Sequence, residues 1–291
     1  MLRPVPGLVL TAFLALAGTV QVASAQVAPG SAPSAAAEAA VARLSATMKI
    51  AETIAVLRDE GIAYGASLEA ELFPGRGGDD WALTVDRIYD TPTMVQRFDA
   101  ALAREIGDDA ATLAAAEAFF GDARGQRILT LEIEGRRALL DQAVEDAARA
   151  RAEEMAASDA PRLATLRRFA EANDLIEANV QGALNANLAF YQGMAEAGAF
   201  GDEMTEAQIL ADVWGQEDAV RAETEDWLYP YLALAYGPLD DAEVEAYIHF
   251  SLTASGQRLN TALFAAFDAI FRPISRDLGR AAARQLLGQD I

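Results

Sequence analysis

Few side chains in this sequence are suited to chemistry, and their scarcity narrows the choices. His249 is the only histidine, and no cysteine occurs. A lone imidazole could serve as a general base, a metal ligand or an ordinary surface group. Without thiolates or a second histidine at ligand spacing, it cannot complete the usual zinc sets. A serine–histidine–acid arrangement needs a marked nucleophile, and no G-x-S-x-G elbow is present. Aspartate and glutamate number 44, too many to single out a catalytic pair, because acid–base hydrolysis depends on two carboxyls at a defined separation across a cleft. The doublets Asp79-Asp80, Asp108-Asp109 and Asp240-Asp241 stand where helices are expected to start, and there negative charge favours the helix dipole. The calcium-loop pattern D-x-D/N-x-D/N-G is absent. The glycine-rich "PGRGGDD" at 74–80 has neither the preceding strand nor the following Lys-Ser/Thr of a phosphate cradle, and its aspartates oppose an anion. It reads as a turn. These patterns assign no catalytic residue, no cofactor and no metal ligand.

Binding surfaces offer more. Trp214, Trp227, Tyr229, Tyr231 and Tyr236 fall within one short region. Such a concentration of rings could line an apolar pocket or a peptide groove, or carry core area. Trp214, Trp227 and Tyr231, with His249 beyond them, are the candidate binding residues. A second unusual stretch is "NDLIEANVQGALNANLAFYQGM" at 173–194. Ile176, Val180, Leu184 and Leu188 run down one side, Tyr191 continues the line, and the remainder is mostly amide or small. This suits a central helix touched on several sides with its amides bonded internally; the alternative is a polar ligand groove.

The scaffold that carries these side chains is patterned as helices. Hydrophobic residues make up 52% of 291, enough for a sizeable core, and much of that share is alanine, the strongest helix former. Val41, Leu44, Met48, Ala51, Ile54 and Leu57 recur at helical steps. Gly61 and Gly65, flanking Tyr64, are expected to end that helix before a shorter piece at 68–72. Helix-start signals then mark nearly every break. Thr91 is a capping residue before Pro92 at the first helical position, Pro161 follows "ASDA" in the same manner, and Thr205 with Gln208 matches a capping box. Asp174 with Glu177, and Asp240 with Glu243, are acidic variants of it. Only "ILTLEIEG" at 128–135 alternates like a strand, and its internal counterpart is helical in pattern. The chain is expected to be all-α.

The N-terminus reads as a signal peptide over residues 1–25. Arg3 precedes an apolar run at 7–17, and Ala23-Ser24-Ala25 supplies the cleavage pattern. That run is well short of the roughly 20 apolar residues a bilayer span needs. Export to the periplasm with cleavage after Ala25 is expected, and no membrane span in the mature chain. Residues 26–36 read as a flexible leader. The full chain carries −21, and Arg3 is the one charge in residues 1–25, so the remainder carries −22. Such a coat repels nucleic-acid phosphates.

Two phrases nearly repeat. "FFGDARGQRIL" spans 119–129 and "FSLTASGQRLN" spans 250–260, an offset of 131 that needs no gap. Asp122 and Thr253 are good N-caps for the helix that follows each. Gly125 and Gly256 then fall at the third helical position, where a side chain would obstruct the preceding helix. Gln126 and Gln257 could bond the exposed end of that helix, and Arg127 and Arg258 come next. The reading is a multi-helix bundle built from two diverged copies of a helix-turn-helix unit, one in each half (37–160 and 161–291). Pro273 is expected to kink or stop the last helix.

The stretch "YLALAYGPLDDAEVEAYIHFSLTASGQRLNTAL" resembles the exported bacterial family catalogued as domain of unknown function 2059 (DUF2059). Members carry an acidic-Leu helix, a Phe-Tyr pair, then Ser-Pro-x-Gly and a polar residue. Thr253-Ala254-Ser255-Gly256-Gln257 follows that element with Thr for Ser and Ala for Pro, which keeps the cap and loses the proline's preset angle. The resemblance covers residues 231–271 well and 109–140 weakly. It implies a small helical unit in an exported protein and brings no catalytic residues. The combined expectation is a non-catalytic binding module of the bacterial envelope. Its partner would be a protein, a peptide or a small apolar ligand. An envelope hydrolase with paired carboxylates in a cleft between the halves is the alternative.

Overall fold

A computed structural model describes residues 33–201 and 204–288, and among these every regular element is helical. The first half holds α1 (Ala35–Thr47), α2 (Ile50–Leu72), α3 (Gly78–Ile88), α4 (Thr91–Ile106), α5 (Ala110–Phe120), α6 (Ala123–Ala138) and α7 (Gln142–Ala157). The second holds α8 (Pro161–Ala172), α9 (Leu175–Glu196), α10 (Glu206–Trp214), α11 (Glu217–Ala235), α12 (Asp241–Ser251) and α13 (Ala254–Leu287). The expected signal peptide and most of the leader lie outside the described residues. Ser34 caps α1, so the helical region starts slightly before residue 37. Among the described residues no helix is long and apolar enough to cross a membrane.

Side-chain caps account for most helix starts. Asp109, Asp122, Thr205, Asp240 and Thr253 each accept from a backbone N–H three residues on. Thr205–Gln208 and Asp240–Glu243 complete reciprocal capping boxes. Two starts differ from expectation. Asp90, not Thr91, caps α4, because its Oδ2 accepts from both Thr93 N and Thr93 Oγ1. Asp174 caps nothing: its backbone is left-handed, with φ at 46°, and Glu177 is taken by Arg221.

Tertiary contacts overrode the local signals elsewhere. The first stripe is broken at Lys49, whose φ of 55° turns the chain between α1 and α2. Lys49 Nζ donates to Thr130 Oγ1 at 2.6 Å, which anchors the bend to α6. Conversely, α2 runs unbroken through Gly61 and Gly65. A Cβ at Gly61 would collide with the Tyr89 ring, and one at Gly65 with Val85, so both glycines admit α3 and the turn after it. Helix α13 likewise continues through Pro273 to Leu287.

The glycine-rich turn before α3 does cradle an anion, but the anion belongs to the chain. Gly77 N and Gly78 N each donate to Glu69 Oε1 at 3.0 Å.

Helix α13 is the axis of the molecule, packed against α9, α4 and α5, while α11 joins α9 to α7 and α6. One hydrophobic cluster runs from Val41 to Ala283, so the halves divided at 160 share a single core. Helices α9 and α13 lie parallel and cross very closely. A Cβ at Gly193 would strike the Arg276 carbonyl, and one at Gly279 the Phe190 carbonyl. Glycine costs up to about 1 kcal/mol against alanine within a helix. The reciprocal pair offsets that by letting the two backbones touch.

Candidate functional site

The repeated phrases form two bends with identical bounds. Shifting Ala110, Phe120 and Ala123 by 131 lands on Asp241, Ser251 and Ala254, the limits of α12 and the start of α13. Asp122 Oδ1 accepts from Gly125 N at 2.7 Å, and Thr253 Oγ1 from Gly256 N at 2.9 Å. A Cβ on Gly125 would collide with the Phe119 carbonyl, and one on Gly256 with the Phe250 carbonyl. Gln126 Nε2 donates to the carbonyls of Phe120 and Thr47, both at 2.7 Å, but Gln257 makes no such bond among the described residues. Arg127 reaches across to Glu243 and the Pro238 carbonyl; Arg258 reaches Glu105 and its carbonyl. Equivalent rings meet between the bends, Phe119 stacking on Phe250 with centroids 4.3 Å apart and planes 5° apart. Every polar group of both phrases that forms a bond thus serves the packing of helices.

The aromatic candidates part company. Trp227 stacks on Tyr231 at 4.9 Å, and the Arg136 guanidinium lies 5.4 Å from the Trp227 ring centroid. Arg136 is 5% exposed and pairs with Glu60 through Nε and Nη2 at 2.6 and 2.7 Å. One turn back on α6, Glu132 is buried; its Oε1 accepts from the Tyr236 hydroxyl at 2.6 Å, and its carbonyl from Tyr231 at 3.2 Å. Burial pushes the Glu132 carboxyl up to about 7, against the opposing pull of Tyr236. Trp227 and Tyr231 therefore roof an enclosed polar cluster. Trp214 is exposed on α10, and His249 is exposed in the last turn of α12, where a cation suits the helix dipole. Neither makes a ring contact or hydrogen bond among the described residues. Of the four candidates, ring stacking brings Trp227 and Tyr231 together.

A groove opens instead along the seam of α9 and α13, where the helices part ahead of their glycine crossing. Its volume is about 320 Å³, near the lower end of ligand pockets. Phe264, Phe267 and Phe271 supply one wall, Ala178 and Gly182 the other. Space is open above Gly182, where a Cβ would meet nothing within 4 Å. A polar chain edges the groove: Gln181 Nε2 donates to Asn185 Oδ1, and Asn185 Nδ2 to Asp268 Oδ1, both at 3.1 Å. Asn179, 2% exposed, also lines it. Its Nδ2 donates to the Leu175 carbonyl at 2.6 Å, while Oδ1 accepts no bond. Past Asp268 the seam continues into a more polar stretch of about 440 Å³ bearing Arg272, Arg276 and Arg280. Of this site the sequence marked only the amide-rich α9. Phe264 lies beside Leu263, just off the packing stripe, and that surplus ring was the available signal for the other wall.

Among the described residues three carboxyls are raised by burial: Glu132 on α6, Asp99 on α4 and Asp174 before α9. No hydrogen bond joins any two of them. Among the described residues no group of three or more His, Asp or Glu side chains is placed to hold a metal ion. No protein-family model matches the chain, and searches of curated proteins and of solved structures find no similar protein.

Proposed function

We propose that this chain is an exported binding module of the bacterial envelope, acting without catalysis, with its ligand site in the α9–α13 groove. The observation that carries this reading is the groove itself: an open space walled by three phenylalanines and edged by polar groups, one of which has a free acceptor. Open apolar concavities with a few convergent polar groups are where small ligands bind. The peptide and protein partners considered for Trp227 fit less well, since that ring is occupied by Tyr231 and Arg136. No hydrogen bond joins the raised carboxyls of Glu132, Asp99 and Asp174, so the groove supports the binding reading more directly than the paired-carboxylate hydrolase.

The proposal includes the DUF2059 resemblance over residues 231–271 and descent of the α5–α6 and α12–α13 pairs from one duplicated unit. The matched helix bounds and the Phe119–Phe250 stack support the duplication. Export predicts that the protein recovered from the producing cell begins at Gln26; a mature chain retaining Met1 would remove it.

Ligand-observed NMR with a panel of small aromatic compounds tests the site. Hits are expected on the wild-type chain and should vanish in Gly182→Phe, which fills the groove from an open position. Hits that persist unchanged in that variant would place binding elsewhere.

A further inference from the structure

We infer that the α9–α13 groove selects an organic ammonium ion, a primary amine carried on a compact aromatic or branched apolar body. The inference rests on the proposed binding site and specifies the chemistry it accepts. Among the described residues that line the phenylalanine-walled stretch, Asp268 is the single charged side chain. Asn185 holds its Oδ1 at 3.1 Å, while Oδ2 faces Arg272 at 3.5 Å, an exposed i,i+4 contact. Pairs of that kind contribute only a few tenths of a kcal/mol, so Asp268 keeps acceptor capacity toward the groove. Asn179 Oδ1, buried in the groove lining and fixed by the bond its own Nδ2 makes to Leu175, lacks a donor, and it would serve as a second acceptor for a head group that enters past the wall.

Three further features point the same way. Aromatic rings wall the groove, Phe264 half-buried and Phe267 and Phe271 buried, and a ring face open to that space would attract a cation. The chain as a whole carries −21, a field that gathers cations and repels anions. In the neighbouring polar stretch, Glu196 engages both Arg276 and Arg280, so two of those three cations are already answered. Arg272 alone opposes an ammonium, and it points from an exposed position.

Three ligands of one shape isolate the head group: 3-phenylpropylammonium, 3-phenylpropanol and 3-phenylpropionate, titrated by NMR at pH 7. The ammonium should bind the wild-type chain roughly tenfold more tightly than the alcohol, and the carboxylate most weakly, as expected for a charge-assisted hydrogen bond. Asp268→Asn should bring ammonium and alcohol to within about threefold. Arg272→Gln should leave ammonium binding intact or stronger, and Gly182→Phe should abolish all three, with thermal unfolding confirming that each variant folds. Equal binding of ammonium and alcohol, both lost in Gly182→Phe, would overturn the ammonium preference and leave the groove standing. Tightest binding of the carboxylate, weakened by Arg272→Gln, would reverse the preference. If Gly182→Phe changes nothing, the groove reading falls as well.

Discussion

At the α5–α6 bend Gln126 ties two carbonyls, while at α12–α13 Gln257 stands in the same place and ties none. Up to that point the two bends share cap, glycine, bounds and stacked phenylalanine. Beyond it the faces diverge. Ile128 and Leu259 occupy equivalent positions and are both fully buried. One turn further α6 carries Glu132 where α13 carries Leu263, and then Arg136 where α13 carries Phe267. One helix buries an acid and a base under Trp227, Tyr231 and Tyr236; the other builds an apolar wall, part of which faces the groove. The capped glycine bend fixes how two helices cross, and the second helix is then free to specialise its faces.

Four experiments probe how far the two bends are alike. The bend is the shared element, so Gly125→Ala and Gly256→Ala should each destabilise the fold by at least about 3 kcal/mol, the upper end of typical overpacking costs, because backbone carbonyls stand in the way. Urea unfolding of both variants would measure it, and a mild effect at one bend alone would end the equivalence. The divergent faces should differ in pH response. Glu132 is raised from 4.5 to about 7 in the folded chain. Its favourable contribution is complete below about pH 4.5 and is lost as pH rises through 7, since the unfolded chain ionises first. The loss is roughly 3 kcal/mol, from the shift at 1.36 kcal/mol per unit. Unfolding curves between pH 4 and 8 should show the decline in the wild type and a flatter profile in Glu132→Gln. Glu196, lowered to about 2 by Arg276 and Arg280, acts with the opposite sign and below that window.

Smaller effects separate the two glutamines. Gln126→Ala should cost about 1 to 2 kcal/mol by unpairing two carbonyls, and Gln257→Ala close to nothing; equal costs would mean that Gln126's bonds are immaterial. The smallest effect has the other sign. Gly182→Ala, in open space within α9, should stabilise by about 0.5 to 1 kcal/mol, in contrast with the bend glycines. Differential scanning calorimetry would detect a lowered midpoint, which would show that Gly182 is needed for the fold.

The fold was legible where local chemistry decides it. Asp122, Thr253, Thr205 and Asp240 announce helix starts because a capping oxygen three residues from its donor is a local arrangement. It was illegible where distant atoms decide. Gly61 and Gly65 look like breakers until Tyr89 and Val85 are seen against them, and Pro273 looks like a stop until the packing of α13 on α9 holds the helix through it. Lys49 adopts a left-handed bend that its residue type does not advertise. The groove was half legible. The amides of α9 stood out, but that α9 and α13 part beside Phe264 follows from a crossing set by Gly193 and Gly279, and no local pattern connects those residues.

The lysine at the α1–α2 bend is the chain's only one. An amine-directed label would therefore find one side chain, and a lysine-specific protease one peptide bond, both at the elbow between α1 and α2. Because that amine donates to Thr130 on α6, its rate of modification would read out in real time whether α6 is seated.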